Sequence, residues 1–239
     1  MPCILAIETS AHVGAVAILR GPHCEEVLAA EFVRDDQKLS AWVLPAIERV
    51  VADAGLTHTT IDAIAFGAGP GSFTGVRTAC ATAQSLAYAW RRPLITVDSL
   101  EALAECSSAA TVCVVLDARI REVFSASFVR HSDGDLQRLT ATTVSAPYAV
   151  TVAAEAALIG SGAPLLPPPH VANSGASTHA EAHWAHGIAR VAARKLVRGE
   201  TTDPMHAEPI YVRNNVALTE AERQQARLAA PRRACEPSA

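Results

Sequence analysis

The run Ala68-Gly69-Pro70-Gly71-Ser72-Phe73-Thr74-Gly75-Val76-Arg77 constrains this chain more than any other stretch. It joins a short apolar strand pattern, Ile61 to Phe66, to a helical pattern from Val76 to Trp90. Phosphate-cradling loops sit at such a junction, because glycine frees the backbone and the N–H groups of a helix start attract anions. Two familiar spellings are excluded. A Walker loop needs glycine five places before Gly75 and a lysine after it, and the chain has Pro70 and Val76 there. The dinucleotide pattern meets Ser72 when counted from Gly67 and Thr74 when counted from Gly69. Gly69, Gly71, Ser72, Thr74 and Gly75 are candidate phosphate contacts; a turn that only joins strand to helix, with Ser72 and Thr74 as caps, remains the other reading.

The flanking patterns give an alternating α/β chain. Cys3–Thr9, Gly14–Arg20 and Glu25–Phe32 read as three strands in a meander. Leu39, Trp42, Val43, Ala46, Ile47, Val50, Val51 and Ala54 recur at three and four, a helix ended by Gly55, with Pro45 as a kink or a late start. The second helix carries Val76, Ala79, Cys80, Ala83, Ala87 and Trp90 on one stripe. A strand at Leu94–Val97 and a short helix capped by Ser99 complete a first lobe, residues 1–105.

The second half opens on the same plan. Val115-Leu116-Asp117 and then Val123-Phe124-Ser125 repeat Ala6-Ile7-Glu8 and then Ala15-Val16-Ala17: strand, acid, turn, strand. A strand near Leu136–Val144, a helix from Ala146–Pro147, a strand at Ala157–Gly160, a proline-rich loop at Pro164–Ser177 and a helix at His179–Arg198 follow, giving a second lobe over 106–217 and a tail over 218–239. Two tandem lobes, each with an acid closing its first strand, are the plan of the actin-like (ASKHA, RNase H-like) α/β fold. Glu8 and Asp117 would then be cleft acids, able in a phosphotransferase to hold hydrated magnesium, or else strand-end groups that bond the following turn. His179, His183 and His186 share one helix face, but the metalloprotease order is absent and a solvated face accounts for them.

Composition narrows the partners. A net charge of −4 argues against a surface that grips nucleic acid by charge alone, unless a partner supplies the positive charge. The six cysteines lie scattered, without zinc or disulfide spacing, and no apolar run is long enough to span a bilayer; the cytoplasm is the expected location.

Ile4-Leu-Ala-Ile-Glu-Thr-Ser10, the glycine run Gly69–Arg77 and Ala207-Glu-Pro-Ile-Tyr-Val-Arg-Asn-Asn-Val-Ala217 together resemble the TsaB (YeaZ) family across nearly the whole chain. The resemblance implies a noncatalytic scaffold and activator, paired with its catalytic paralogue TsaD and the ATPase TsaE. That assembly transfers threonylcarbamoyl from threonylcarbamoyl-AMP to N6 of adenosine 37 in tRNAs reading codons that begin with A. The metal-binding His pair of TsaD falls here on Ser99 and Leu103, neither of which ligates as imidazole does. No catalytic or metal-binding residue is therefore expected, and no cofactor on this chain alone, with ATP or ADP a candidate at the interface of the complex. The family pairs through the two first-lobe helices; Ala41, Leu44, Glu48, Thr78, Thr82 and Ser85, off the apolar stripes, mark that face, which also suits a homodimer. A free-standing phosphotransferase using Glu8 and Asp117 is the alternative.

Overall fold

The computed structural model describes residues 1–10, 13–34, 38–132, 134–168 and 183–212. The amino-terminal meander is β1 (Cys3–Glu8), β2 (Val13–Arg20) and β3 (Glu26–Arg34), paired antiparallel. The chain then alternates: α1 (Leu39–Asp53), β4 (Ala63–Gly67), α2 (Phe73–Trp90), β5 (Leu94–Val97) and α3 (Ser99–Glu105). β4 and β5 add in parallel beside β1, so the first sheet has the order β3-β2-β1-β4-β5.

The second sheet repeats the plan. β6 (Thr111–Arg119) and β7 (Glu122–Arg130) form an antiparallel hairpin, β8 (Leu136–Arg138) and β9 (Thr143–Ser145) pair with β7, and β10 (Ala157–Ile159) lies parallel to β6. β4 beside β1 and β10 beside β6 are equivalent placements. A further helix, α4 (Trp184–Val197), follows.

Side-chain alternation decides which face each strand residue serves. Cys3, Leu5 and Ile7 of β1 pack with the buried stripes of α1 (Trp42, Val43, Ala46, Ile47, Val50) and α2 (Ala79, Cys80, Ala83, Ala87). Ile4 and Ala6 face the other way, into a core that also takes Leu100 and Leu103 of α3, Val112 and Val114 of β6, Phe128 of β7 and Trp184 and Ile188 of α4. A boundary at residue 105 separates the two sheets, yet one apolar core lies between them, and α4, from the carboxy-terminal half, packs back on the first sheet. Gly187 permits that closeness: a methyl there would stand 1.9 Å from the Ala102 carbonyl oxygen on α3.

Several expectations shift. α1 runs through Pro45, whose position on the exposed side spares the buried stripe. α2 starts at Phe73, one turn before the apolar stripe, because Ser72 caps it. Asp98, not Ser99, caps α3, accepting the Leu100 and Glu101 N–H groups. The strand expected at 136–144 is two short strands, and the helix expected from Pro147 is a single 3-10 turn, Pro147–Ala149. His179 and the tail over 218–239 lie outside the described residues. Among the described residues no helix is long and apolar enough to cross a membrane.

Candidate functional site: the cleft beside the glycine loop

The loop after β4 is built by close approach. It crosses the end of β1 at Thr9 and Ser10, where a methyl on Gly71 would stand 2.3 Å from the Ser10 carbonyl oxygen and one on Gly75 1.9 Å from that of Thr9. Only glycine fits at both places. The crossing is sewn by the Ser72 N–H donating to the Ser10 carbonyl at 2.6 Å and the Thr9 hydroxyl donating to the Gly75 carbonyl at 2.7 Å. Gly69, at φ +104, donates its N–H to the Ser99 hydroxyl oxygen at 3.1 Å, and Gly75 donates to Ser72 Oγ at 3.1 Å. Ser72 is thus the cap that its spacing predicted. Thr74 is not a cap: it lies in the first turn of α2, and its carbonyl accepts the Thr78 hydroxyl.

Under the loop lies Glu8, fully buried. The Ser10 N–H donates to its Oε1, and the Ser99 hydroxyl donates to its Oε2 at 2.9 Å. Burial pushes the Glu8 carboxyl above the usual carboxylate range, while the hydrogen bonds from Ser10, Ser99 and Thr9 pull the other way. Ser99 occupies the node: it donates to Glu8, accepts from Gly69, stands 3.4 Å from Ser10 Oγ, and its carbonyl accepts the Trp184 indole N–H at 2.7 Å. Ser99 and Leu103 are both fully buried in the core.

Asp117 sits differently. It is part-exposed at the end of β6, accepts the Arg119 N–H at 2.7 Å through Oδ1 and pairs with the Arg119 guanidinium at 3.5 Å. With Ser10, Gly71, Ser72, Phe124 and Ser161 it lines a cavity of about 150 Å³, which Glu8 does not reach. The two acids therefore close equivalent strands but do not share one opening. A second glycine turn explains the placement of Asp117. Gly160, at φ +103, and Gly162 press on Val115 and Leu116 as Gly71 and Gly75 press on Ser10 and Thr9, and Ser161 Oγ accepts the Asp117 N–H at 3.3 Å. The Gly-Ser-Gly spelling after an apolar strand carried that signal in the sequence.

A larger neighbouring cavity of about 270 Å³ shares Gly71, Ser72, Ala118, Arg119 and Phe124 with the first, and adds Phe73, Val76, Ile210, Tyr211 and Val212. Ile210, Tyr211 and Val212, at the end of the segment 202–212, close its side. After a bridge to β5 at Thr202 this segment follows α2, accepting from Gln84 at Pro204 and Ala207 and from the Cys80 thiol at Ala207, and it donates from the Ile210 N–H to the Ala68 carbonyl at 2.8 Å. Sequence reasoning did not assign Ser10, Phe73, Arg77, Arg119, Phe124, Ser161 or Tyr211 to this place.

The predicted partner face divides. Ala41, Leu44, Glu48 and Ser85 are exposed, whereas Thr78 and Thr82 are half-buried. His183 and His186 stack at 5.0 Å, and His186 is not on a solvated face: burial pushes its ring down to about 4, helped by His183 and Arg190, so it stays neutral. Among the described residues no group of three or more His, Cys, Asp or Glu could hold a metal, and Cys3, Cys24, Cys80, Cys106 and Cys113 are free thiols.

Two sheets of one plan, a strand order of β3-β2-β1-β4-β5 and a glycine-loop cleft define an actin-like α/β protein. The family model for TsaD, described as tRNA N6-adenosine threonylcarbamoyltransferase, matches residues 35–232. The chain is 30% identical over 225 residues to the tRNA threonylcarbamoyladenosine biosynthesis protein TsaB of Escherichia coli K12, covering 90% of this chain and 96% of that protein. It is 37% identical over 134 residues to the protein of the same name from Haemophilus influenzae, covering 53% of this chain and 54% of that one. The solved structure of YeaZ from Pseudomonas aeruginosa superposes with a TM-score of 0.73 at 27% identity, over 88% of this chain and all of that one. The chain belongs to the TsaB (YeaZ) family.

Proposed function

We propose that this chain is the noncatalytic scaffold and activator of a tRNA threonylcarbamoyladenosine transferase, acting by docking α1 and α2 on the catalytic paralogue TsaD, with TsaE as the third member. The observation that carries the reading is the seal over Glu8. The one acid that a phosphotransferase of this fold would present at the end of β1 is fully buried under two hydrogen bonds, and the loop glycines meet the Thr9–Ser10 backbone with no space for a methyl. The loop then aims α2; the N–H groups of Gly69, Ser72 and Gly75 are donated inside the protein, which leaves Gly71 and Thr74 as the loop positions for a subsidiary phosphate contact with ATP or ADP at the interface. The names of the relatives support the pathway, and the exposed Ala41, Leu44, Glu48 and Ser85 support the face.

Copurification with TsaD tests it: Leu44→Glu places a charge on the face and is expected to abolish the complex while leaving the melting temperature unchanged. Retention of the complex by that variant overturns the docking face. Reading the chain as a phosphotransferase predicts instead that magnesium-ATP binds the isolated protein tightly and that Glu8→Ala removes the binding; calorimetry is expected to show no such binding.

A further inference from the structure

We propose that the rim of the larger cavity stacks an unpaired nucleotide of RNA, with Phe73 and Tyr211 as the stacking surface and Arg77, Arg119 and Arg121 as the phosphate contacts. This rests on the reading of the chain as part of a tRNA-modifying assembly, and it adds a direct RNA contact where the net charge alone argues against one.

The first observation is a layered aromatic surface open to solvent. Phe73 is 55% exposed and Tyr211 51%, although they come from distant parts of the chain. Their ring centroids stand 6.4 Å apart at 39°. The Arg77 guanidinium lies 3.7 Å from the Phe73 centroid and 5.9 Å from that of Tyr211, and its Nε donates to the Tyr211 hydroxyl at 3.0 Å. Exposed rings and guanidinium planes of this kind receive bases splayed out of single strands, which a duplex keeps stacked and out of reach.

The second observation is the turn that faces this surface across the cavity. Arg119, Ile120 and Arg121 are consecutive left-handed residues, at φ 67, 53 and 59. A tight hairpin turn of that conformation suits Asn-Gly, and a β-branched residue there is strained. Ile120 is 81% exposed, so burial of its side chain does not repay the strain. Strain kept at a cleft mouth points to use of the turn by something that binds there. The turn places Arg119 in the cavity wall and Arg121 at its tip.

Charge and space agree. The chain as a whole carries −4, yet Arg77 stacks on Phe73 at this mouth, Arg119 lines it and Arg121 follows in the same turn, with Asp117 paired to Arg119 and Glu122 opposite it in the hairpin. The loop N–H groups of Gly69, Ser72 and Gly75 are spent inside the protein, so an incoming phosphate meets guanidinium groups. A cavity of about 270 Å³ accommodates one base, not a helix.

The test is fluorescence anisotropy of the full-length chain with a labelled, unstructured oligoribonucleotide of about ten nucleotides, at low salt and across a salt series. Expected are a preference of about fivefold or more over an RNA duplex of equal length, a loss of about fivefold or more in Arg121→Ala and in Tyr211→Ala, and a shallower salt dependence in Arg121→Ala. Arg121 lies at an exposed hairpin tip, which keeps that variant informative should Tyr211→Ala unfold. No binding, binding unchanged in Arg121→Ala, preference for duplex, or displacement by micromolar AMP overturns the proposal, the last by making a free nucleotide the ligand. Because the chain is assayed alone, such a failure leaves its requirement beside TsaD untouched, and a dispensable chain that still binds RNA through these residues fails only the scaffold reading.

Discussion

Glu8 shows how one residue type changes meaning with burial. A carboxyl whose pKa is higher folded than unfolded contributes stability that is complete below its unfolded pKa and is lost as the pH rises through the folded value. Its shift is upward, so Glu8 costs stability at neutral pH. Glu8→Gln is therefore expected to be at least as stable as the wild type at pH 7 and to flatten the fall in stability above the ordinary carboxylate range, as read by urea denaturation across pH. Glu8→Ala, which orphans the Ser10 N–H and the Ser99 hydroxyl, is expected to cost about 2–3 kcal/mol. At Gly75 the added methyl meets a backbone carbonyl that cannot move aside, so Gly75→Ala is expected to cost about 2 kcal/mol or more. Gly55→Ala, at φ +64 with open space around it, carries only the conformational cost of about 1 kcal/mol. The glycine loop was legible as a feature but not in its purpose: spelling showed which phosphate loops it is not, while the Thr9–Ser10 crossing that requires Gly71 and Gly75 depends on a contact about sixty residues away in sequence.

Among the elements, those with strong periodicity read directly. The stripes foreseen on α1 and α2 are the buried ones, since a helix covering a sheet must repeat its apolar residues at three and four. Helix starts were harder, because Asp98 and Ser99 are adjacent cap candidates and only the fold shows that Asp98 caps while Ser99 is drawn inward by Glu8. Asp98 also pairs with Arg138 of β8 at 2.9 Å, so Asp98→Ala is expected to lower stability by about 1–2 kcal/mol in thermal or chemical unfolding. β8 and β9 escaped division because Leu139-Thr140-Ala141-Thr142 between them continues the apolar–polar alternation and holds no glycine, proline or asparagine to mark the break. Thr82 is half-buried, so on the docking face Leu44 and Ser85 are the sharper probes: a glutamate at either is expected to weaken a TsaD complex tenfold or more with folding intact, measured by titration of the two proteins.

For the whole molecule, the sequence is read as two lobes, and the structure has two sheets with a shared core between them. Glu105 of α3, buried, pairs with Arg194 of α4 at 2.8 Å and with Arg130 of β7 at 3.5 Å, tying the second sheet to the helix that lies on the first. Removing the acid takes a carboxylate from two largely buried arginines, of which Arg194 keeps Asp135 at 3.4 Å, and Glu105→Gln is expected to cost about 1–3 kcal/mol. A core shared by both sheets also predicts one cooperative calorimetric transition, not two separable ones. The proposed partnership of α1 and α2 with another protein is not readable from periodicity, since an exposed helix face looks alike whether it meets water or a subunit; it rests on the family resemblance. The most direct measurement is reconstitution with TsaD, TsaE, threonylcarbamoyl-AMP and tRNA, with and without this chain. Sustained tRNA modification is predicted only when the chain is present, and undiminished turnover in its absence would contradict the account.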